Sequence, residues 1–104
     1  MVVKKQVTIT KDCSLIKLNG EMYTEDAAQL RQELMECVAR GNKQLVIDMH
    51  ELNYIDSLGI AALISVNKSV INQGGGITLT GLHGTINELF EITKLKNLFT
   101  VLEE

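Results

Sequence analysis

The 104-residue sequence contains no proline, only two cysteines and no large excess of charge of one sign. With no proline, no internal repeat and no low-complexity stretch, nothing marks a linker, and the length suits one small domain over residues 1–104. Ten Lys and Arg stand against 13 Asp and Glu, which argues against a surface built to coat nucleic acid or a membrane. No stretch approaches the roughly 18 apolar residues of a membrane span. The opening MVVKKQVTIT has no apolar run long enough for a secretory signal, so a cytoplasmic protein without direct membrane insertion is expected. Cys13 and Cys37 lie far apart in sequence, with two scattered histidines for company. They suggest neither a zinc site nor a disulfide framework and are expected as reduced packing residues. No cofactor or metal is implied.

What is present is a set of short periodic segments, in a chain whose 45% hydrophobic content is enough for a core. QVTIT alternates Val7 and Ile9 with polar neighbours, and LIKLNG does the same with Ile16 and Leu18 after the polar turn KDCS. Two strands joined by a short turn make an antiparallel pair. From Thr24 the period becomes helical: Thr24 can cap, Glu25 and Asp26 suit the positive end of the dipole, and Ala27, Leu30, Leu34, Cys37 and Val38 share a face. Arg40 and Gly41 mark the end of that helix. QLVIDM holds Leu45, Val46 and Ile47 in an unbroken apolar run, which predicts a central strand covered on both faces, followed by a connector HELNYID. A second helix runs from Ser57 to about Asn72, apolar nearly all round in its first half, and the glycines of NQGGG end it. ITLT predicts a strand, TINELFEITK a short helix, and LFTVL a last strand or helical turn. Strands alternating with helices predict an α/β fold with a mixed, mostly parallel sheet and helices packed on it.

The loops at the carboxyl ends of such strands gather on one edge, where function commonly resides. Asp56 and Ser57 occupy one of these loops, at a helix start. Both are preferred N-cap residues, because their oxygens accept bonds from unpaired helix amides. A serine there also faces free amides and the positive end of the macrodipole, so a phosphate on it is electrostatically tolerated, while Asp56 adds a like charge. A serine hydrolase fits poorly. The nucleophile elbow needs glycine two residues before the serine, where Ile55 stands, and no sequence argument brings His50 or His83 to Ser57. The GGG run lacks the Lys-Ser/Thr of a phosphate-binding loop and ends a helix rather than beginning one.

The string LNYIDSLGIAALISV, preceded by QLVIDM and further upstream by LIKLNGEM, resembles the STAS domain of bacterial anti-sigma factor antagonists. The resemblance spans nearly the whole chain, to ELFEITKLKNLF. It implies that Ser57 is phosphorylated by a partner kinase, a GHKL-type ATPase that is also the anti-sigma factor, with a phosphatase to reverse the modification. Only the unphosphorylated form is then expected to bind the kinase and free the sigma factor. Asp56, Ser57 and Gly59 carry the match, Leu58 is expected either in the core or, if exposed, on the partner surface beside them, and Glu21, Met22 and Tyr23, in the loop after the second strand, are expected on the same edge. Gly59 is expected to permit close approach, and Met22 either to face a partner or to pack under the first helix. Tyr54 and Ile55 are expected to belong to the packing of the connector. Three positions depart from the family pattern: Tyr23 where an aspartate is common, Leu58 where a small residue is common, and Ala61 where glycine is common. They leave open an alternative, a non-switching scaffold or regulatory subunit of a transporter or multi-protein sensor. Neither reading is enzymatic.

Overall fold

A computed structural model describes residues 6–102. Along the chain lie β1 (Val7–Ile9), β2 (Ile16–Met22), α1 (Thr24–Ala39), β3 (Gln44–Ile55), α2 (Ser57–Asn72), β4 (Gly76–Thr80), α3 (Gly84–Ile92), a 3-10 turn (Leu95–Asn97) and β5 (Thr100–Leu102). The five strands lie in sequence order in one sheet. β1 is antiparallel to β2, and every other neighbouring pair is parallel, as the alternation of strands and helices predicts.

One face of the sheet carries Ile16, Leu18, Leu45, Ile47, Ile77 and Leu79, all fully buried in a core shared with Leu30 and Leu34 of α1 and Leu63, Val66 and Val70 of α2. The opposite face is not closed over. Lys17 and Thr8 are exposed there, and Val46, Asp48, Thr78 and Thr80 are half-buried. The expectation that QLVIDM is covered on both faces is therefore corrected: its apolar run reflects centrality in the sheet, not two helical layers.

The connector is corrected too. HELNYI is not a loop but the second half of β3, which stays paired with β2 as far as Glu21↔Tyr54 and Met22↔Ile55. β4 stops earlier, with Thr80 opposite Asp48. The β2–β3 register shifts twice, between Lys17 and Asn19 and between Gly20 and Glu21, each time with one extra residue on β3. The buried positions consequently move from every second residue (Leu45, Ile47, Met49) to every third (Leu52, Ile55).

α1 buries the predicted face, Ala27, Leu30, Leu34, Cys37 and Val38, but Tyr23 rather than Thr24 is its N-cap. The Tyr23 amide donates to the Asp26 carboxylate at 2.8 Å, which leaves the Thr24 hydroxyl available to reach another element. α2 spans the predicted residues, and Gly74 after it takes φ +88°, open to glycine at little cost. Asn67, buried in α2, donates to the Leu98 carbonyl (2.7 Å) and accepts from the Ile77 amide (3.0 Å), joining α2, the start of β4 and the approach to β5. Phe90 of α3 and Phe99 pack with ring centroids 6.2 Å apart.

The two cysteines are not reduced packing residues. Cys13, in the β1–β2 turn, and Cys37, in the last turns of α1, form a disulfide with their Cα atoms 5.8 Å apart. The long sequence separation that argued against pairing is what the fold removes, because α1 returns its end to the β1–β2 turn.

Candidate functional site

The end of β2 and the end of β3 are bound directly: the Asp56 amide donates to the Met22 carbonyl at 3.0 Å. This bond brings the loop around Tyr23 against the start of α2, as expected. Asp56 is the N-cap of α2, and one carboxylate oxygen, Oδ1, accepts the Leu58 and Gly59 amides, each at 3.1 Å. The other oxygen, Oδ2, accepts the Thr24 hydroxyl at 2.5 Å. One carboxylate thus caps α2 and ties it to the first residue of α1. The Thr24 hydroxyl, then the Gly59 and Leu58 amides, hold the Asp56 carboxyl below its ordinary value against a small opposing effect of desolvation.

Ser57 is the first residue of α2 and is exposed. Two of the amides expected to be free at this helix start, those of Leu58 and Gly59, are already occupied by the Asp56 carboxylate. On the same edge, where the ends of β2 and β3 meet the start of α2, three large side chains are exposed, Tyr23 (44%), Tyr54 (45%) and Leu58 (50%). The tyrosine rings pack with centroids 5.2 Å apart, and the Tyr23 hydroxyl donates to the Glu21 carboxylate. That hydrogen bond, with burial and the charge of Glu21 adding to it, raises the Tyr23 phenol above its ordinary value.

Of the expected partner-binding residues, Glu21, Tyr23, Ser57 and Leu58 are exposed, and Asp56 is half-buried. Met22 and Gly59, by contrast, are buried. Met22 is 1% exposed, a core residue under the sheet edge. Gly59 is buried, and a Cβ on it would stand 2.7 Å from Cγ1 of Ile55, so its small size serves the seating of α2 on β3 rather than the approach of a partner. Tyr54 and Thr24 are the residues that sequence reasoning missed as site members. The signal for Tyr54 was the three-residue spacing of Met49, Leu52 and Ile55, which leaves Tyr54 pointing away from the core.

The histidines lie elsewhere. His50 is hydrogen-bonded through Nδ1 to Asp48 (2.6 Å), and His50 and His83 line a cleft of about 400 Å³ with Asn87, Glu91 and Lys96, of which Ser57 is not a part. No helix among the described residues is long and apolar enough to cross a membrane.

An exposed serine at an Asp-capped helix start, on the edge where β2 and β3 end, is set in a chain whose residues 4–104 match the STAS domain family model. The chain belongs to the STAS family. Among its relatives, BtrV of Bordetella bronchiseptica, provisionally named an anti-sigma factor antagonist, is 32% identical over 84 residues, covering 81% of this chain and 72% of that protein. The anti-sigma-B factor antagonist of Bacillus subtilis is 30% identical over 86 residues, 83% of this chain and 78% of that one. The Bacillus cell fate determinant SpoIIAA, solved in its phosphorylated form, superposes with a TM-score of 0.72 at 18% identity, covering 95% of this STAS chain and 91% of that chain. The fold is thus the STAS fold, and the relatives place the chain in the anti-sigma factor antagonist family, whose members are regulatory proteins.

Proposed function

We propose that this STAS protein is a partner-switching antagonist in the cytoplasm. Unphosphorylated, it binds an anti-sigma factor that is also a GHKL-type serine kinase; phosphorylated on Ser57, it is released until a phosphatase restores it. The observation that supports this reading is an exposed Ser57 as the first residue of α2, on the edge that also exposes Tyr23, Tyr54 and Leu58. Aromatic and apolar side chains of that kind supply docking energy when a partner excludes water from them.

A phosphate adds about 1.5 to 2 negative charges at neutral pH. On Ser57 it stands beside Asp56, whose carboxylate has taken the Leu58 and Gly59 amides, and on the edge that also carries Glu21. Without those amides the phosphate keeps its water, and docking must strip it. A penalty of about 3 kcal/mol is roughly a hundredfold in affinity, enough for a switch.

The test is calorimetric titration of the host's cognate anti-sigma factor with the wild-type protein, Ser57→Ala, and wild type phosphorylated enzymatically and confirmed by mass spectrometry. Ser57→Ala is expected to bind as wild type does, and the phosphoprotein to bind about a hundredfold more weakly. Equal affinity of all three forms would remove Ser57 from the switch.

A further inference from the structure

The Cys13–Cys37 disulfide closes the end of α1 remote from Thr24 and Tyr23, and nothing in the Ser57 mechanism uses it. Both residues are nearly fully buried, at 1% and 2% exposure, but they form part of the wall of a surface cleft of about 230 Å³. Lys11, Glu33, Glu36 and Arg40 line the same cleft. Such an opening admits a peroxide or a small thiol, and the burial of the sulfurs denies contact to a folded protein oxidoreductase.

The turn that carries Cys13 is built to keep its shape without the S–S bond. Asp12 accepts the Thr10 hydroxyl and the Ser14 amide, each at 3.0 Å, and the Cys13 amide donates to the Thr10 carbonyl at 2.9 Å. These bonds hold Cys13 in the left-handed region at φ +58°, a conformation seldom adopted by a residue other than glycine, asparagine or aspartate. Cys37 is fixed by the core face of α1. Reduced, the two thiols therefore remain facing each other, and closing the bond requires little rearrangement.

We propose that Cys13 and Cys37 are a reversible, oxidant-sensing thiol pair whose oxidant is hydrogen peroxide. One thiolate attacks a peroxide oxygen; the O–O bond breaks, and a sulfenic acid and hydroxide result. The second thiol attacks that sulfur, the S–S bond forms, the S–O bond breaks, and water leaves. In sum, two thiols and one peroxide give one disulfide and two waters, with both electrons passing to the peroxide. The physiological direction of the pair rests on the proposed function, which places the chain in a compartment that keeps thiols reduced and where protein disulfides are usually transient.

The experiment uses the wild-type chain, reduced under native conditions, freed of reductant and given equimolar hydrogen peroxide. Iodoacetamide labelling and intact-mass measurement then read the thiols. With labelling carried out under denaturing conditions, the expected result is a loss of two mass units and no label on either cysteine, while reduced protein takes two labels and peroxide-treated Cys37→Ser forms no intramolecular disulfide. Equilibration in buffers of graded reduced-to-oxidised glutathione ratio is expected to show a midpoint within the range, with the melting temperature of the reduced form lower by roughly ten degrees. A pair that stays oxidised in millimolar dithiothreitol without denaturant is a permanent structural bond and overturns the proposal, as does a reduced pair that peroxide fails to close. Neither readout involves Ser57 or a partner, so failure here is distinguishable from failure of the phosphorylation switch.

Discussion

The two halves of β3 are continuous in the backbone and opposite in design. Through Asp48 the strand pairs with β4, and from Ile47 also with β2; beyond Asp48 it has β2 alone. The first half alternates strictly, with Leu45, Ile47 and Met49 in the core. The second half carries two register shifts, which bury Leu52 and Ile55 and turn Tyr54 outward before the chain reaches Asp56. Regular pairing builds the core, and irregular pairing aims the surface. A bulged strand end re-directs side chains without breaking the sheet, which is how such irregularities are commonly used beside functional sites.

The comparison predicts unequal costs for truncation along one strand. Ile47→Ala removes a fully buried side chain from the centre of the sheet and is expected to cost about 4 kcal/mol in urea denaturation. Tyr54→Ala removes a half-exposed ring whose main neighbour is Tyr23, with an expected cost near 1 kcal/mol and a larger effect on partner affinity. Similar stability losses for the two would mean that Tyr54 is packed as tightly as a core side chain.

The next effect in size concerns the seam where the irregular half meets α2. Gly59→Ala gains up to about 1 kcal/mol of helix propensity. It also forces a methyl group to within 2.7 Å of Ile55 Cγ1, an overpacking worth about 1–3 kcal/mol. A net loss of about 1–2 kcal/mol is expected, and the double variant Ile55→Val with Gly59→Ala, which removes the Cδ1 that would stand 3.0 Å from the new methyl, should recover part of it. Additive losses in that double variant would show that the two positions do not share a contact.

The same comparison separates what was legible in the sequence from what was not. The helix boundaries at Thr24 and Ser57, the parallel sheet and the meeting of the Tyr23 loop with Asp56 all follow from local periodicity and the right-handed crossover. HELNYI was read as a connector because a strand is recognised by its period of two, and two extra residues on β3 destroy that period. The sequence leaves Met22 open between a partner surface and the packing under the first helix; the register decides, since Met22 pairs with Ile55 and both fall inward. The cysteine pairing depended on where α1 ends relative to the β1–β2 turn, a tertiary distance that local spacing does not encode. Apolar content likewise placed QLVIDM at the centre of the sheet but not under two layers of helix.

Smaller effects are expected where the irregular end of β3 is tied down. Thr24→Val removes the hydroxyl that bonds Asp56 Oδ2 while keeping the side-chain shape, and an expected loss of about 1 kcal/mol would reflect one hydrogen bond to a charged acceptor at the surface. A change within error would mean that the bond holds geometry rather than stability, and partner affinity would then be the more sensitive readout.

The smallest effect is also the most specific to this carboxylate. Because Thr24 and the Gly59 and Leu58 amides hold Asp56 below its ordinary value of 3.8, the folded state favours the ionised form. Its stabilising contribution is therefore complete above that value and is lost as the pH falls through the folded-state value beneath it. Asp56→Asn keeps an acceptor oxygen for the cap but does not titrate. Urea midpoints of the two proteins should differ most at neutral pH and converge as the solution is acidified below 3.8, whereas other acidic groups shift both curves together. A gap that stays constant across that window would show that the cap works through its shape alone and that the charge on Asp56, the charge a phosphate on Ser57 would face, does not contribute to holding the helix start.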